Sequence, residues 1–189
     1  MNIGTALSGQ AKFDAAVPHM EAAVQLQPNN GDYHLIYANL LQRIGRNDDA
    51  ASHFEVGTRL KPNSAEAHHS YAGFLLSLGK MDGYVSEIRT VLRLNPNHPS
   101  ADLDLADGLF AKGNLKEAEG YYLAALKRNP ELTVAYNNLG RLYLAQGHIS
   151  QAVVQFNEAL RRNPGYKEAE ENLRLAKAAD AEIFPAARR

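Results

Sequence analysis

Residues 133–166, TVAYNNLGRLYLAQGHISQAVVQFNEALRRNPGY, contain two apolar helical patterns that are separated by Gly147 and closed by Pro164. The rest of the chain repeats this unit with variations. Steps of 34 residues back from Pro164 reach four more prolines: Pro130, Pro96, Pro62 and Pro28. A fixed period of this size is typical of repeat architectures. The sequence therefore predicts a solenoid of helical hairpins.

The turn inside each hairpin is marked by a glycine column. It consists of Ala11, Gly45, Gly79, Gly113 and Gly147. Glycine suits the left-handed conformation that closes a helix. Three residues later, a column of mostly good N-caps predicts where each second helix begins: Asp14, Asp48, Asp82, Lys116 and Ser150. The column prolines then end the second helices, because proline cannot continue a helix.

Apolar residues recur at helical spacing on both sides of each turn. The first helices share a small column that consists of Gly4, Ala38, Ala72, Ala106 and Gly140. The second helices share a mostly small column that consists of Ala16, Ala50, Tyr84, Ala118 and Ala152. Four residues after it comes a column of large residues: Met20, Phe54, Ile88, Tyr122 and Phe156. Small residues facing large ones let two helices approach closely and interdigitate.

Composition excludes several classes of function. The net charge is −1, with 20 basic and 21 acidic residues, so nothing favours nucleic acid as a partner. There is no cysteine, which excludes disulfides and thiolate chemistry. No apolar run approaches the length of a membrane helix, so membrane insertion is not expected. Cytoplasm and periplasm both remain open, since proteins of either compartment can lack cysteine.

Catalytic, cofactor and metal sites are not expected. Two of the seven histidines, His34 and His68, share a column in adjacent repeats, which a whole hairpin should separate. No His-Glu-x-x-His pair, phosphate-binding loop or nucleophile elbow is present in the sequence. The sequence therefore favours a protein that is not an enzyme.

These columns, the glycine turn and the terminal proline resemble the tetratricopeptide repeat (TPR) family over residues 1 to about 180. The resemblance implies an all-α fold, a right-handed superhelix of antiparallel helix hairpins whose first helices line a concave groove. We expect one solenoid over 1–180. Its parts are a truncated repeat at 1–30, full repeats at 31–64, 65–98, 99–132 and 133–166, and a capping helix at 167–180. Residues 181–189 are predicted to be a flexible tail.

The register assigns first-helix residues outside the core to the groove. The candidate peptide-binding residues are Asn39, Arg43, His69, Asp104, Asp107, Asn137, Asn138, Arg141 and Asn172. The cations of the family's carboxylate clamp are missing, and asparagine recurs only at the ends of the column that would form an asparagine ladder. The central carboxylates suggest a mild preference for a basic ligand segment, which salt would weaken.

The resulting hypothesis is a non-catalytic scaffold that binds a peptide or partner protein in the groove. Two alternatives stay open. In the first, the chain is an accessory TPR arm of a larger enzyme, such as a glycosyltransferase, or of an envelope or secretion assembly. In the second, it is a homo-oligomerising scaffold that pairs through Ile3 and Leu7 of the first half-repeat. Tyr84, which breaks an alanine column, either repacks locally beside Gly83 and Gly73 or shapes a binding surface.

Overall fold

The computed structural model describes residues 13–183, and the side chains of residues 13–179. Over this range the chain forms ten α-helices and no strand. In order they are α1 (Phe13–Leu26), α2 (Gly31–Arg43), α3 (Asn47–Leu60), α4 (Ala65–Ser77), α5 (Met81–Leu94), α6 (Ala101–Ala111), α7 (Leu115–Arg128), α8 (Thr133–Ala145), α9 (Ile149–Arg162) and α10 (Lys167–Ile183). The chain divides into two compact units, unit 1 ending at Asn97 and unit 2 beginning at His98.

The helices follow the sequence period. The second helices α3, α5, α7 and α9 begin at Asn47, Met81, Leu115 and Ile149, at the 34-residue spacing of the prolines. Each ends two residues before a column proline, at Leu60, Leu94, Arg128 and Arg162. The prediction that proline ends these helices is confirmed. Ile3, Leu7 and the rest of the opening half-repeat up to residue 12 lie outside the described residues, as do residues 184–189 of the predicted tail.

Glycine closes each first helix in the predicted conformation. Gly45, Gly79, Gly113 and Gly147 have φ values of 80°, 69°, 78° and 76°. In the first of these turns the Arg46 amide donates to the Leu41 carbonyl at 2.9 Å, and the Gly45 amide donates to Gln42 at 3.0 Å. The other three turns repeat this pair of bonds. This is the Schellman motif, which satisfies carbonyls that the helix end would otherwise leave without partners.

The predicted N-caps of the second helices are wrong. The residue after each glycine already acts as the cap, and Arg46, for example, makes no side-chain cap hydrogen bond. Its carbonyl instead accepts from the Ala50 amide at 3.0 Å. The Schellman turn is so short that the next helix begins immediately, which puts four of the predicted caps inside the helices: Asp48, Asp82, Lys116 and Ser150. Asp14 also lies inside a helix, as the second residue of α1. The aspartates among them still stabilise the first turn of their helices, because their negative charge lies at the positive end of the helix dipole.

The core of unit 1 forms where small and large columns meet. Ala38, Ala50 and Phe54 are fully buried in one cluster with Met20. The Phe54 ring stacks on Phe74, with centroids 4.9 Å apart. The predicted close contact between first and second helices is therefore present in this unit.

Tyr84 is buried on α5 although its column otherwise holds alanine. A Cβ on the adjacent Gly83 would lie 3.1 Å from Leu75 Cδ1, so the missing side chain lets α5 come close to Leu75. A Cβ on Gly73 would meet nothing within 4 Å. Gly83, and not Gly73, therefore provides the close approach beside Tyr84.

The core of unit 2 repeats the same interlocking. Phe156 on α9 is fully buried, and a Cβ on Gly140 of α8 would lie only 2.5 Å from its Cε1 atom. The backbone of α8 thus packs directly against the aromatic ring. Helix α10 packs on α9 and α8, and its Ala169 and Ala176 are fully buried. It continues to Ile183, three residues beyond the predicted end of the capping helix.

Candidate protein-interaction surface

Six of the nine candidate residues lie on the first helices of unit 2. Asp104 and Asp107 are on α6; Asn137, Asn138 and Arg141 are on α8; and Asn172 is on α10. We call this set the first-helix face of unit 2. Helix α8 contacts both α6 and α10, so the three helices lie side by side with α8 in the middle.

Asp107 is a largely buried carboxylate held by two donors. Its Oδ1 atom accepts from the Tyr122 hydroxyl at 2.6 Å and from Asn138 Nδ2 at 2.9 Å. Burial raises the pKa of Asp107 above its ordinary value, and the nearby Asp104 acts in the same direction. The two hydrogen bonds and Arg141 act against this rise in pKa. Asp107 therefore joins α6 to α7 and α8.

Two neighbouring asparagines continue this network to α10. Asn137 Nδ2 donates to Asn138 Oδ1 at 3.4 Å, and Asn172 Nδ2 donates to Asn137 Oδ1 at 2.9 Å. Asn137 Nδ2 also lies 3.4 Å from Glu168 Oε1. Asn137 is fully buried and Asn138 is 8% exposed. These amides bind one another, so their direct effect is to fasten α8 to α6 and α10.

Charged groups lie at the exposed side of the same face. The side chain of Arg141 is 46% exposed, and its guanidinium carbon lies 5.8 Å from the centre of the Phe110 ring. The Nη1 atom of Arg141 lies 3.8 Å from Glu168 Oε1. Asp104 Oδ2 accepts from the Ser100 hydroxyl at 2.7 Å. The face thus holds carboxylates and a guanidinium in positions set by neighbouring side chains.

The three remaining candidates belong to unit 1. Asn39 is exposed and donates to the Leu35 carbonyl of its own helix at 2.8 Å. The Arg43 guanidinium lies 5.1 Å from the centre of the Phe13 ring on α1. His69 is half-buried on α4. The first helices of this unit are joined by Gln42 Nε2, which donates to Ser77 Oγ at 3.1 Å.

Sequence reasoning missed Tyr122 and Glu168 as members of the unit 2 network. Tyr122 belongs to the large core column, and its full burial agrees with that position. A buried tyrosine hydroxyl nonetheless needs a hydrogen-bond partner, and that need was the available signal. No comparable signal marked Glu168, which lies at the start of α10 and is exposed.

Structural comparison places the chain among helical-hairpin repeat proteins. Similar solved structures include YrrB, a TPR protein with an unusual peptide-binding site, at 19% identity and a TM-score of 0.81, covering 90% of this chain and 88% of that one. MamA is 23% identical with a TM-score of 0.81, covering 90% and 98%. PilW, a type IV pilus biogenesis factor, is 22% identical with a TM-score of 0.70, covering 98% and 92%. A search of curated proteins found no match.

The fold and its repeating hairpins define the class as an all-α solenoid of helical repeats. Two family models, both described as tetratricopeptide repeat, match residues 7–73 and 97–164. The chain belongs to the tetratricopeptide repeat family. Members of this class are generally protein-binding scaffolds without catalytic activity. Among the described helices, none is both long and apolar enough to cross a membrane.

Proposed function

We propose that this chain is a non-catalytic scaffold that binds a peptide or a partner protein across the first-helix face of unit 2. The observation that supports the proposal is the hydrogen-bonded network that fixes this face. Groups held in place before binding lose less conformational entropy when a ligand arrives. Packed helices hold them more rigidly than loops would.

The network divides the candidate residues by role. Asn137 and Asn138 hold the three first helices together, because their amides are already bound to side-chain partners. In this proposal the ligand contacts fall on Asp104, Arg141 and Asn172, which are more exposed. Arg141 stacked on Phe110 offers both a charge and an apolar surface to an extended segment.

A partner captured from lysate of the source organism would test this proposal. The wild-type chain is compared with Arg141→Glu, which reverses one charge on the first-helix face. The matched control is Lys127→Glu, which reverses an exposed charge on the second helix α7. All three chains must first show the same helical circular dichroism.

We expect a partner that is retained by wild type and Lys127→Glu and lost by Arg141→Glu. A partner retained equally by all three chains would contradict the proposal. Because two of the proposed contacts, Asp104 and Arg141, are charged, the captured complex should also weaken as salt increases. Binding that is unaffected by salt would argue against a role for these two charges.

Three predictions about partners belong with this proposal. The balanced charge gives no attraction to nucleic acid. Asn39, Arg43 and His69 remain predicted contacts on unit 1. Self-association through Ile3 and Leu7 also remains a prediction, and sedimentation would test it: the mass should rise with concentration in wild type and stay monomeric in Ile3→Asp.

A further inference from the structure

Two histidines of unit 1 bind one another through the same ring position. His34 on α2 is buried, at 6% exposure. Its Nδ1 atom lies 2.9 Å from Nδ1 of His53 on α3, and its Nε2 atom lies 3.0 Å from the Pro28 carbonyl oxygen. A carbonyl oxygen can only accept, so His34 Nε2 carries the hydrogen. In the neutral pair, His34 Nδ1 is therefore the acceptor and His53 Nδ1 the donor.

This geometry limits the number of protons that the pair can hold. One added proton is compatible with the bond, because one of the two Nδ1 atoms can still accept. A second added proton puts hydrogen on both Nδ1 atoms, which then face each other as donors. Two positive charges would also lie in contact in a half-buried site. Full protonation therefore requires the two rings to separate.

The charged groups around His53 do not remove this conflict. The Tyr37 ring of α2 lies 4.7 Å from the His53 ring, and Glu21 of α1, Arg46 and Asp49 line the same cleft of about 260 Å³. Arg46 Nε donates to Asp49 Oδ2 at 2.7 Å, which occupies the nearest carboxylate. Burial lowers the pKa of His53, and the nearby His34 and Arg46 lower this pKa further, whereas Asp49 raises it.

The next repeat offers a natural comparison at the same two positions. His68 Nδ1 lies 2.6 Å from Glu87 Oε2, and His68 Nε2 lies 3.2 Å from the Pro62 carbonyl. His68 and Glu87 are each 34 residues beyond His34 and His53. Here the partner is a carboxylate, so a protonated His68 forms an ion pair in place of a repulsion.

Unit 2 shows that this column regularly fastens a first helix to a second helix. Arg128 Nη2 donates to Asp102 Oδ2 at 2.7 Å, and Arg162 Nη2 donates to the Tyr136 hydroxyl at 2.8 Å. Asp102 and Tyr136 follow His68 at the same 34-residue spacing. The interhelical link thus recurs with different chemistry.

We propose that His34 and His53 form a proton-sensitive latch that fastens α3 to α2 at neutral pH and releases it on acidification. The unfolded chain binds protons on both rings freely, whereas the latched pair holds one. Because the pKa of His53 lies below its ordinary 6.5, the latch contributes full stability above that pH. This contribution is lost as the pH falls through the ordinary pKa of histidine and then through the lower pKa of His53 in the folded chain.

The test is urea unfolding of the full chain between about pH 7.5 and pH 5.5, the range in which histidine changes charge. Wild type is compared with His53→Glu, which gives the first full repeat the pairing of the next one. A chelator is present throughout, so that no metal ion bridges the imidazoles. Hydrogen exchange of α2 and α3 amides locates the change, because repeat proteins can open locally.

We expect the wild-type unfolding constant to rise by up to about tenfold per pH unit as the pH falls through the histidine range, the effect of one extra proton bound on unfolding. The rise should be smaller or absent in His53→Glu, because the protonated His34 then has an anionic partner. Once exchange is corrected for its intrinsic pH dependence, the protection of α2 and α3 amides should fall at low pH in wild type alone. Identical pH dependence in both chains would overturn the proposal.

Nuclear magnetic resonance of the histidine ring nitrogens in wild type tests the latch without any variant. At about pH 7.5 His34 should carry its hydrogen on Nε2 and His53 on Nδ1. The pair should then titrate in two steps separated by more than about one pH unit, as coupled groups do. The opposite tautomers, or two independent titrations at the same pH, would overturn the proposal even if His53→Glu failed to fold.

Discussion

Removing the Asp107 carboxylate would show how much the network contributes to the stability of unit 2. In Asp107→Ala the Tyr122 hydroxyl, which belongs to a fully buried side chain, loses its acceptor, and so does Asn138 Nδ2. An unsatisfied buried donor costs about 1–3 kcal/mol. We take about 2 kcal/mol for the hydroxyl and about 1 kcal/mol for the amide, which can partly reach solvent. The expected loss is about 3 kcal/mol, or roughly 6–12 °C in Tm.

Asp107→Asn is the matched control, because an amide oxygen can accept from both donors. We expect this variant to lose less than about 1 kcal/mol at neutral pH, since it keeps the acceptor and removes a buried charge. Circular dichroism during heating and in urea would measure both variants. Equal losses in Asp107→Ala and Asp107→Asn would contradict this prediction, because the hydrogen-bond acceptor would then contribute nothing to stability.

The stability of wild type and of Asp107→Asn should depend differently on pH. The pKa of Asp107 is raised from 3.8, so the folded chain binds this proton more tightly than the unfolded chain does. Its contribution to stability is present below the ordinary carboxyl range and is lost as the pH rises through the folded value. Wild type should therefore lose stability relative to Asp107→Asn as the pH rises from that range. A constant difference between the two would contradict the raised pKa.

Three substitutions test the packing register. Gly140→Ala should cost about 1–3 kcal/mol, because its Cβ would lie 2.5 Å from a Phe156 ring carbon. Gly120→Ala on α7 is its control: the new Cβ meets nothing within 4 Å, so the variant should gain roughly 0.5–1 kcal/mol from helix propensity. Ala152→Trp, at a fully buried position, should cost about 1–3 kcal/mol or more. Thermal melting measures all three, and unchanged melting of Gly140→Ala or Ala152→Trp would contradict the register.

The sequence predicted what depends on residue type at a fixed position. Gly45 and its equivalents had to be left-handed, and the column prolines had to end helices, because few other residues perform those tasks. The start of the second helices was mispredicted by two residues. Asp48 is a good cap by type, but the Schellman turn at Gly45 fixes the helix start before Asp48 is reached.

The side-chain network could be predicted only in part. Consecutive helix residues point about 100° apart, which is why Asn138 reaches Asp107 on one side while Asn137 reaches Asn172 on the other. The sequence placed these residues on the correct helices. It could not show that the amides would bind one another, because that depends on the distances between packed helices and on rotamers.

Site-specific photocrosslinking in cells of the source organism would show directly which helix surface contacts a partner. One chain carries a photoreactive amino acid in place of Leu144, one turn after Arg141 on α8. The other carries it in place of Leu123, a 49% exposed residue of the second helix α7. We expect a protein adduct at position 144 that is absent at position 123. An adduct at position 123 alone would mean that the partner binds the second helices, which contradicts binding across the first-helix face.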